Sequence, residues 1–438
     1  MRHNLHFTSE FIPEAPIPES APAFTEELHT LSARVAQGTY EFPEASLLLP
    51  LDAAMLNEVN DCVKRFATTK LKYVIVIGIG GSNLGTQAVY DALVAGEGAK
   101  KSSHPQLIFA DTIATPLLND IVALCTSEIA SAPEILINLI SKSGSTTESI
   151  ANFEILYAAL LPRFPQILER IVVTTDKDSP LWIRATQLGI GLLPIPHMVG
   201  GRFSVFSPVG LFPLALAGVN VGELRAGAED FLKTCVGNRG EKNLAQESAE
   251  AIYQAHGAGV NILNFFFFNP EFESLGKWAR QLYAESLGKE KDLKGNIIHT
   301  GITPVVSIGS TDLHSMAQLY LGGPRNMMTI FLHVKEKESA AFTITPDALF
   351  IDLLPQLEGK SPEVIMDAIY SGVKEAYRAH QLPFGEIDFS ERSPYMLGVF
   401  LEWQMLTVMY LGRMFNVNTF DQPNVEDYKK ITRVILEK

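Results

Sequence analysis

Four short runs in the first half of the chain, Tyr73–Ile77, Leu107–Ala110, Ile135–Ile140 and Arg170–Thr174, are mainly apolar and show no period-two alternation. A strand with one wet face alternates apolar and polar residues; a strand buried on both faces does not. Such strands call for a parallel sheet covered by helices on both sides. The intervals supply the helices, near Gly85–Ala95, Pro116–Cys125 and Thr146–Leu160. A second unit of the same kind follows. Helices near Leu211–Ala217, Gly222–Thr234 and Leu244–His256 lead into the strand Asn261–Phe268, closed by the turn pair Asn269-Pro270. Pro304–Ile308 and Met327–Val334 read as further strands, and Phe272–Gly288, Pro362–His380, Tyr395–Phe415 and Val425–Glu437 as helices.

The chain therefore reads as α/β. Residues 1–44 form an N-terminal arm, Pro-rich and extended over 11–24, with a short helix at Glu26–Gln37. Two α/β units occupy 45–205 and 206–415, and 416–438 is a C-terminal helical arm. The apolar helix Tyr395–Phe415 contains Glu402, Gln404 and Arg413, which fits a buried core helix and not a bilayer span. The first residues lack the charged-then-apolar pattern of a signal peptide.

Charge narrows the function classes. The formal net charge is −14, which argues against a nucleic-acid surface. It also repels anionic ligands, so any phosphate site must build its own local positive potential. Cys62, Cys125 and Cys235 are widely spaced and form no CxxC pair, so neither a disulfide framework nor a zinc site is expected, and a reducing cytoplasm is the simplest home.

Five stretches carry candidate chemistry. Ser141-Lys142-Ser143-Gly144-Ser145-Thr146-Thr147-Glu148-Ser149 lies between an apolar strand and a helix start. Its hydroxyls, one ammonium and the unpaired N–H groups of the helix N-terminus can converge on one anion. The GxxxxGK[ST] pattern is absent, so a phosphorylated small molecule is favoured over a nucleoside triphosphate; a capped surface turn is the local alternative. Gly78-Ile79-Gly80-Gly81-Ser82 follows a strand, where glycines admit a ligand close to the backbone. Asn83 stands where a dinucleotide fingerprint needs its third glycine, which disfavours a nicotinamide-dependent dehydrogenase. Gly200-Gly201-Arg202 frees the backbone to aim a guanidinium inward. On the helix Phe272–Gly288, Gln281 and Glu285 share a face beside the stripe Leu275, Trp278, Leu282. Glu285 is placed for a general base, although spacing alone equally admits a solvated glutamate paired with Lys289 or Arg280. His314 opens a helix after a buried strand, as a proton-transfer residue would; His197 is a weaker competitor. Lys429 lies in a terminal helix that begins after Gln422-Pro423-Asn424.

Taken in this order, the five stretches resemble the glucose-6-phosphate isomerase (phosphoglucose isomerase) family, nearest its shorter bacterial branch, from about Tyr73 to Lys430. The resemblance implies two αβα sandwich domains of the sugar-isomerase (SIS) type with the active site between them. It implies that Ser141, Ser143, Thr146 and Ser149, with Lys142 and Ser145 beside them, hold the substrate phosphate. Gly81, Ser82 and Gln281 would bind substrate, Arg202 would stabilise an enediolate, Glu285 would be the base, and His314 and Lys429 would serve ring opening. It further implies reversible interconversion of D-glucose 6-phosphate and D-fructose 6-phosphate in glycolysis and gluconeogenesis. No cofactor and no metal are implied, and the partner is a second copy of the chain, in a homodimer with shared active sites. A bifunctional phosphoglucose/phosphomannose isomerase and a non-catalytic phosphosugar sensor remain alternatives. Asn424 and Leu287 depart from the commonest family pattern without replacing a residue of assigned role.

Overall fold

The computed structural model describes residues 6–35, 40–94, 104–237, 243–335 and 342–437. In chain order the strands are β1 (His6–Glu10), β2 (Tyr73–Ile77), β3 (Gln106–Ala110), β4 (Ile135–Ile140), β5 (Ile171–Asp176), β6 (Gly191–Ile195), β7 (Ile262–Phe267), β8 (Lys289–Lys291), β9 (Ile297–Thr300), β10 (Thr303–Ile308), β11 (Met327–Val334) and β12 (Phe384–Phe389). The helices are α1 (Ser20–Val35), α2 (Ala53–Phe66), α3 (Leu84–Leu93), α4 (Thr115–Glu128), α5 (Thr147–Leu160), α6 (Pro180–Gln187), α7 (Pro208–Leu216), α8 (Val221–Gly237), α9 (Leu244–Gly257), α10 (Glu273–Leu287), α11 (Thr311–Ser315), α12 (Ala317–Gly322), α13 (Pro362–Ala379), α14 (Pro394–Met414) and α15 (Val425–Leu436).

The first sheet has the order β3-β2-β4-β5-β6 and is parallel throughout. All six residues of central β4 are buried, as the absence of alternation requires. Asn138 is the one polar side chain in that strand, and its amide donates to Val172 O and Thr174 Oγ1 on β5. The second sheet has the order β1-β12-β11-β7-β10, parallel except for β1, which pairs antiparallel with β12 from His6↔Asp388 to Glu10↔Phe384. The two units meet where α10 packs on α3, with Trp278 fully buried and Ser274 hydrogen-bonded to Asp91.

Five strands have no counterpart in the sequence expectations: the short pair β8–β9, and three strands of the two large sheets, each of which has a physical reason. β6 carries Gly191 and Pro194, which is tolerable because it lies at a sheet edge. β12 carries Glu386 and Asp388, and Glu386 is matched by Tyr370 and Lys374 from α13. β1 contains one large apolar residue, Phe7, and is fastened by the Glu10–Arg378 ion pair at 2.7 Å. Arg170, expected to open β5, sits in the preceding turn, where its buried guanidinium caps Ile135 O and Phe66 O. The ends of two expected helices, residue 95 and residues 36–37, lie outside the described residues.

Helix α14 is buried along nearly its whole length. No described helix is long and apolar enough to cross a membrane. Glu402, in its middle, has no exposed surface, and neither carboxyl oxygen meets a partner among the described residues. Burial therefore holds its carboxyl well above the usual carboxylate range. The sign follows from proton binding. Above the ordinary glutamate value of 4.5 the unfolded chain loses this proton while the folded chain keeps it, so stability falls as pH rises towards the folded-state value. The slope from one such group is about 1.4 kcal/mol per pH unit. The melting temperature of the unaltered chain should decline as pH rises above the ordinary glutamate value, and Glu402→Gln should flatten that decline; parallel declines in the two proteins would contradict the buried neutral carboxyl.

Candidate active site

Strand β4 ends at Ile140, and the hydroxyl-rich turn follows at once. Its start is pinned to the neighbouring strand: Ser141 N donates to Thr174 O at 3.1 Å, and Thr175 Oγ1 donates to Ser141 O at 2.6 Å. Ser141 Oγ and Thr146 Oγ1 lie 2.8 Å apart, closing the turn on itself. Gly144 has φ +69°, and a Cβ there would lie 2.9 Å from both Leu181 Cβ and Ser179 Oγ, so the turn requires glycine on two counts. Thr146 precedes α5 without capping it through its side chain, and buried Ser149 Oγ has no described partner. The first-turn N–H groups of α5 have no partner inside the helix, and this hydroxyl has none among the described residues. Across from the turn stands α15: Lys429 and Arg433 face Ser143, Ser145 and Thr146 over a cleft of about 120 Å³. Lys429 Nζ donates to Glu426 Oε1 at 2.8 Å.

Lys142 is half-buried. Burial lowers its ammonium's pKa, Asp176 opposes that shift, and Arg202 adds to it by charge repulsion. The repulsion means that the phosphate-type turn and the Arg202 loop share one electrostatic neighbourhood. His197 makes a 2.6 Å contact through Nδ1 to Asp176 Oδ2 at the edge of this region.

Arg202 is the most constrained side chain of the site. Its guanidinium is 1% exposed, and all five N–H groups have acceptors. Nε donates to Ser286 Oγ at 2.8 Å; Nη1 donates to Glu285 Oε2 at 3.1 Å and to Gln422 Oε1 at 2.9 Å. Nη2 donates to Thr419 O at 2.6 Å and Asp421 O at 3.4 Å. Desolvation pushes the guanidinium down from its usual range, and Glu285 and Asp421 pull it back. Glu285 sits in the last turn of α10, its other oxygen accepting from Gln281 Nε2 at 3.0 Å, with its side chain 32% exposed. One carboxylate is therefore oriented from two sides while staying partly exposed.

The glycine turn after β2 closes the remaining side. A Cβ on Gly81 would fall 2.2 Å from Gly201 C and 2.4 Å from Arg202 N, so the backbones of the two glycine loops are in direct contact. Gly80 faces Gln281 Nε2, and Ser82 is partly exposed at the end of this turn. Gln281 Oε1 is buried without a partner among the described residues.

The structure thus gathers Gly81, Ser82, Arg202, Gln281 and Glu285 at one junction; Lys142, in the Ser141–Ser149 turn, feels the Arg202 charge, and Lys429 faces that turn across the cleft. His314 is not brought to them. It lies exposed on α11 and makes no side-chain hydrogen bond to a described residue. Sequence reasoning missed the strap formed by residues 418–422, whose Gln422 touches Arg202 directly. The motif containing Gln422 was visible, but nothing local shows that the strap folds back under α10. Among the described residues there is no cluster of three or more metal-ligating side chains.

The sequence pattern of the phosphoglucose isomerase family matches residues 53–438. A glucose-6-phosphate isomerase of Carboxydothermus hydrogenoformans is 30% identical over 437 residues, covering 98% of this chain and 92% of that protein. One of Exiguobacterium sibiricum is 34% identical over 375 residues, covering 83% and 80%. The crystal structure of a glucose-6-phosphate isomerase from Chlamydia trachomatis superposes with a TM-score of 0.80 over 99% of this chain and 88% of that one, at 19% identity, a likeness of fold.

Replacing Gly81 by Ala should force the two glycine loops apart. An overpacked contact of this kind costs about 1–3 kcal/mol, to be read from chemical denaturation. Unchanged stability would contradict the close approach.

Proposed function

Because the chain belongs to the phosphoglucose isomerase family, we infer that it is an isomerase interconverting D-glucose 6-phosphate and D-fructose 6-phosphate, and we propose the following roles for its residues. The phosphate anchors at Ser141, Ser143, Thr146 and Ser149, with Lys142 and Ser145 beside it. Anchoring a remote group converts binding into positioning at the reacting carbons. Gly81, Ser82 and Gln281 bind the sugar. Glu285 removes the C2 proton and returns it to C1, and Arg202 offsets the negative charge that develops on the cis-enediolate oxygens. One carboxylate moving one proton between adjacent carbons needs neither a metal nor an organic cofactor.

The observation that best supports this reading is the Glu285 carboxylate, held by Arg202 at 3.1 Å and Gln281 at 3.0 Å with one side left open. A carboxylate in that setting faces both the donor that would meet an oxyanion and the space a sugar would fill.

Ring opening falls to His314 and Lys429. Lys429 is already at the cleft, whereas His314 is remote from Glu285 within the chain, so the histidine comes from a second copy in a homodimer with shared sites. Large exposed apolar side chains support such a partner: Phe342 at 71%, Leu349 at 83%, Leu353 at 71%, and Ile431 and Ile435 on α15 at 61% and 62%. Three free cysteines, Cys62, Cys125 and Cys235, fit a reducing cytoplasm and a place in glycolysis and gluconeogenesis.

A coupled assay of fructose 6-phosphate conversion tests the reaction first. Glu285→Gln should then lower kcat by at least about 10²-fold while KM changes little; near-normal turnover would end its assignment as base. Refolding a mixture of Glu285→Gln and His314→Ala chains should restore activity to the hybrid dimers. Hybrids shown to form yet remaining inactive would contradict shared sites.

A further inference from the structure

Lys289 is a buried ammonium that the proposed catalytic roles leave unused. It follows α10 directly, one turn beyond Glu285, and its side chain is 5% exposed. A charge so buried must be matched, and here each of its three N–H groups has an acceptor. Nζ donates to the main-chain oxygen of Glu285 at 2.9 Å, to Asp421 Oδ1 at 3.1 Å, and to Asp421 O.

These acceptors are informative because of where they sit. The Glu285 oxygen is one of the last four helix carbonyls, which have no partner inside α10. A cation there also complements the negative end of the helix. Asp421 O belongs to the strap, and the same oxygen accepts from Arg202 Nη2 at 3.4 Å. Two cations from separate elements therefore converge on one carbonyl, immediately before Gln422. The strap's own bonds, Asn418 Nδ2 to Asp421 Oδ2 at 3.0 Å and Phe420 N to Asn418 Oδ1 at 3.0 Å, hold it in shape but not in place.

We propose that Lys289 is a positioning residue for the isomerisation: it ties the 418–422 strap to the last turn of α10, so that Glu285 and Gln422 meet Arg202 in fixed register. The proposal rests on the assignment of Glu285 as base. Without Lys289, the Glu285 turn loses its carbonyl cap, and the polar ties of the strap to the rest of the site fall to Arg202 alone, beside the packing of Phe420 on Phe203. The carboxylate then samples orientations in which proton transfer from C2 is slow, while the phosphate turn, built on β4 and α5, is untouched.

The test compares the unaltered enzyme with Lys289→Met, which keeps the length and apolar stem of the side chain but removes the charge and donors, and with Asp421→Asn, which keeps the strap carbonyl. Misplacement of a reacting group by about 1 Å costs up to about 10²-fold. Lys289→Met should lower kcat by about 10–10²-fold with KM nearly unchanged, and Asp421→Asn should fall between it and the unaltered enzyme. The deciding readout is the primary isotope effect with glucose 6-phosphate deuterated at C2. It should rise in Lys289→Met, because proton transfer becomes slower relative to the other steps. A folding defect alone lowers the active fraction and leaves the isotope effect where it was; that result, or turnover within twofold of the unaltered enzyme in both variants, overturns the role. An unaltered enzyme that converts no substrate overturns the isomerase reading itself, and this role with it.

Discussion

Removing a guanidinium from water is tolerable only if every N–H group is satisfied, and at Arg202 that demand organises the molecule. Its five acceptors come from the last turn of α10 and from the strap that follows α14. Neither set suffices alone. The inter-domain junction, the base-bearing helix and the C-terminal strap must all be in place before the charge is matched. Trp278 adds a tie in the reverse sense, its indole N–H donating to Arg202 O at 3.2 Å and fixing the loop that presents the side chain. A requirement of solvation thus becomes a requirement of assembly.

The same logic resolves the conflict between the charge of the chain and that of its ligand. With a net charge of −14, long-range attraction for a sugar phosphate is not available. Positive potential is instead concentrated: Lys142, Arg202 and Lys289 are close enough that Arg202 depresses both lysines. Burial lowers both lysines further, Asp176 and Asp421 oppose that fall, and the α5 N-terminus adds aligned N–H groups. Selectivity then rests on short-range geometry.

Much of the fold was legible because its signals are local. β2 and β4 run over the residues whose mainly apolar, non-alternating character marks them, and α10 announces itself by the Leu275, Trp278, Leu282 stripe. The glycine turns and the Ser/Thr turn are likewise local chemistry, readable wherever they occur. What escaped depends on distant partners. Nothing local marks the carboxylate-bearing β12 as a strand; its Glu386 is matched only by Tyr370 and Lys374 from α13. Gln422 is one glutamine among polar neighbours until the strap swings beneath α10. Lys289 looked like a solvent-side partner for Glu285; in the structure it bonds to the main chain of that residue instead, because the helix end turns it inward.

The antiparallel edge strand β1 has a consequence for the order of events during synthesis. Among the described residues its one sheet neighbour, β12, lies about 380 residues further along, and Glu10 finds Arg378 only once α13 exists. At ribosomal speeds of about 5–20 residues per second, this segment is left without a sheet for tens of seconds. The first α/β unit completes its own parallel sheet from residues 73–195 in the meantime. The second unit, by contrast, closes around a strand that has waited outside, so the earliest-made described residues are among the last to be locked into the native state.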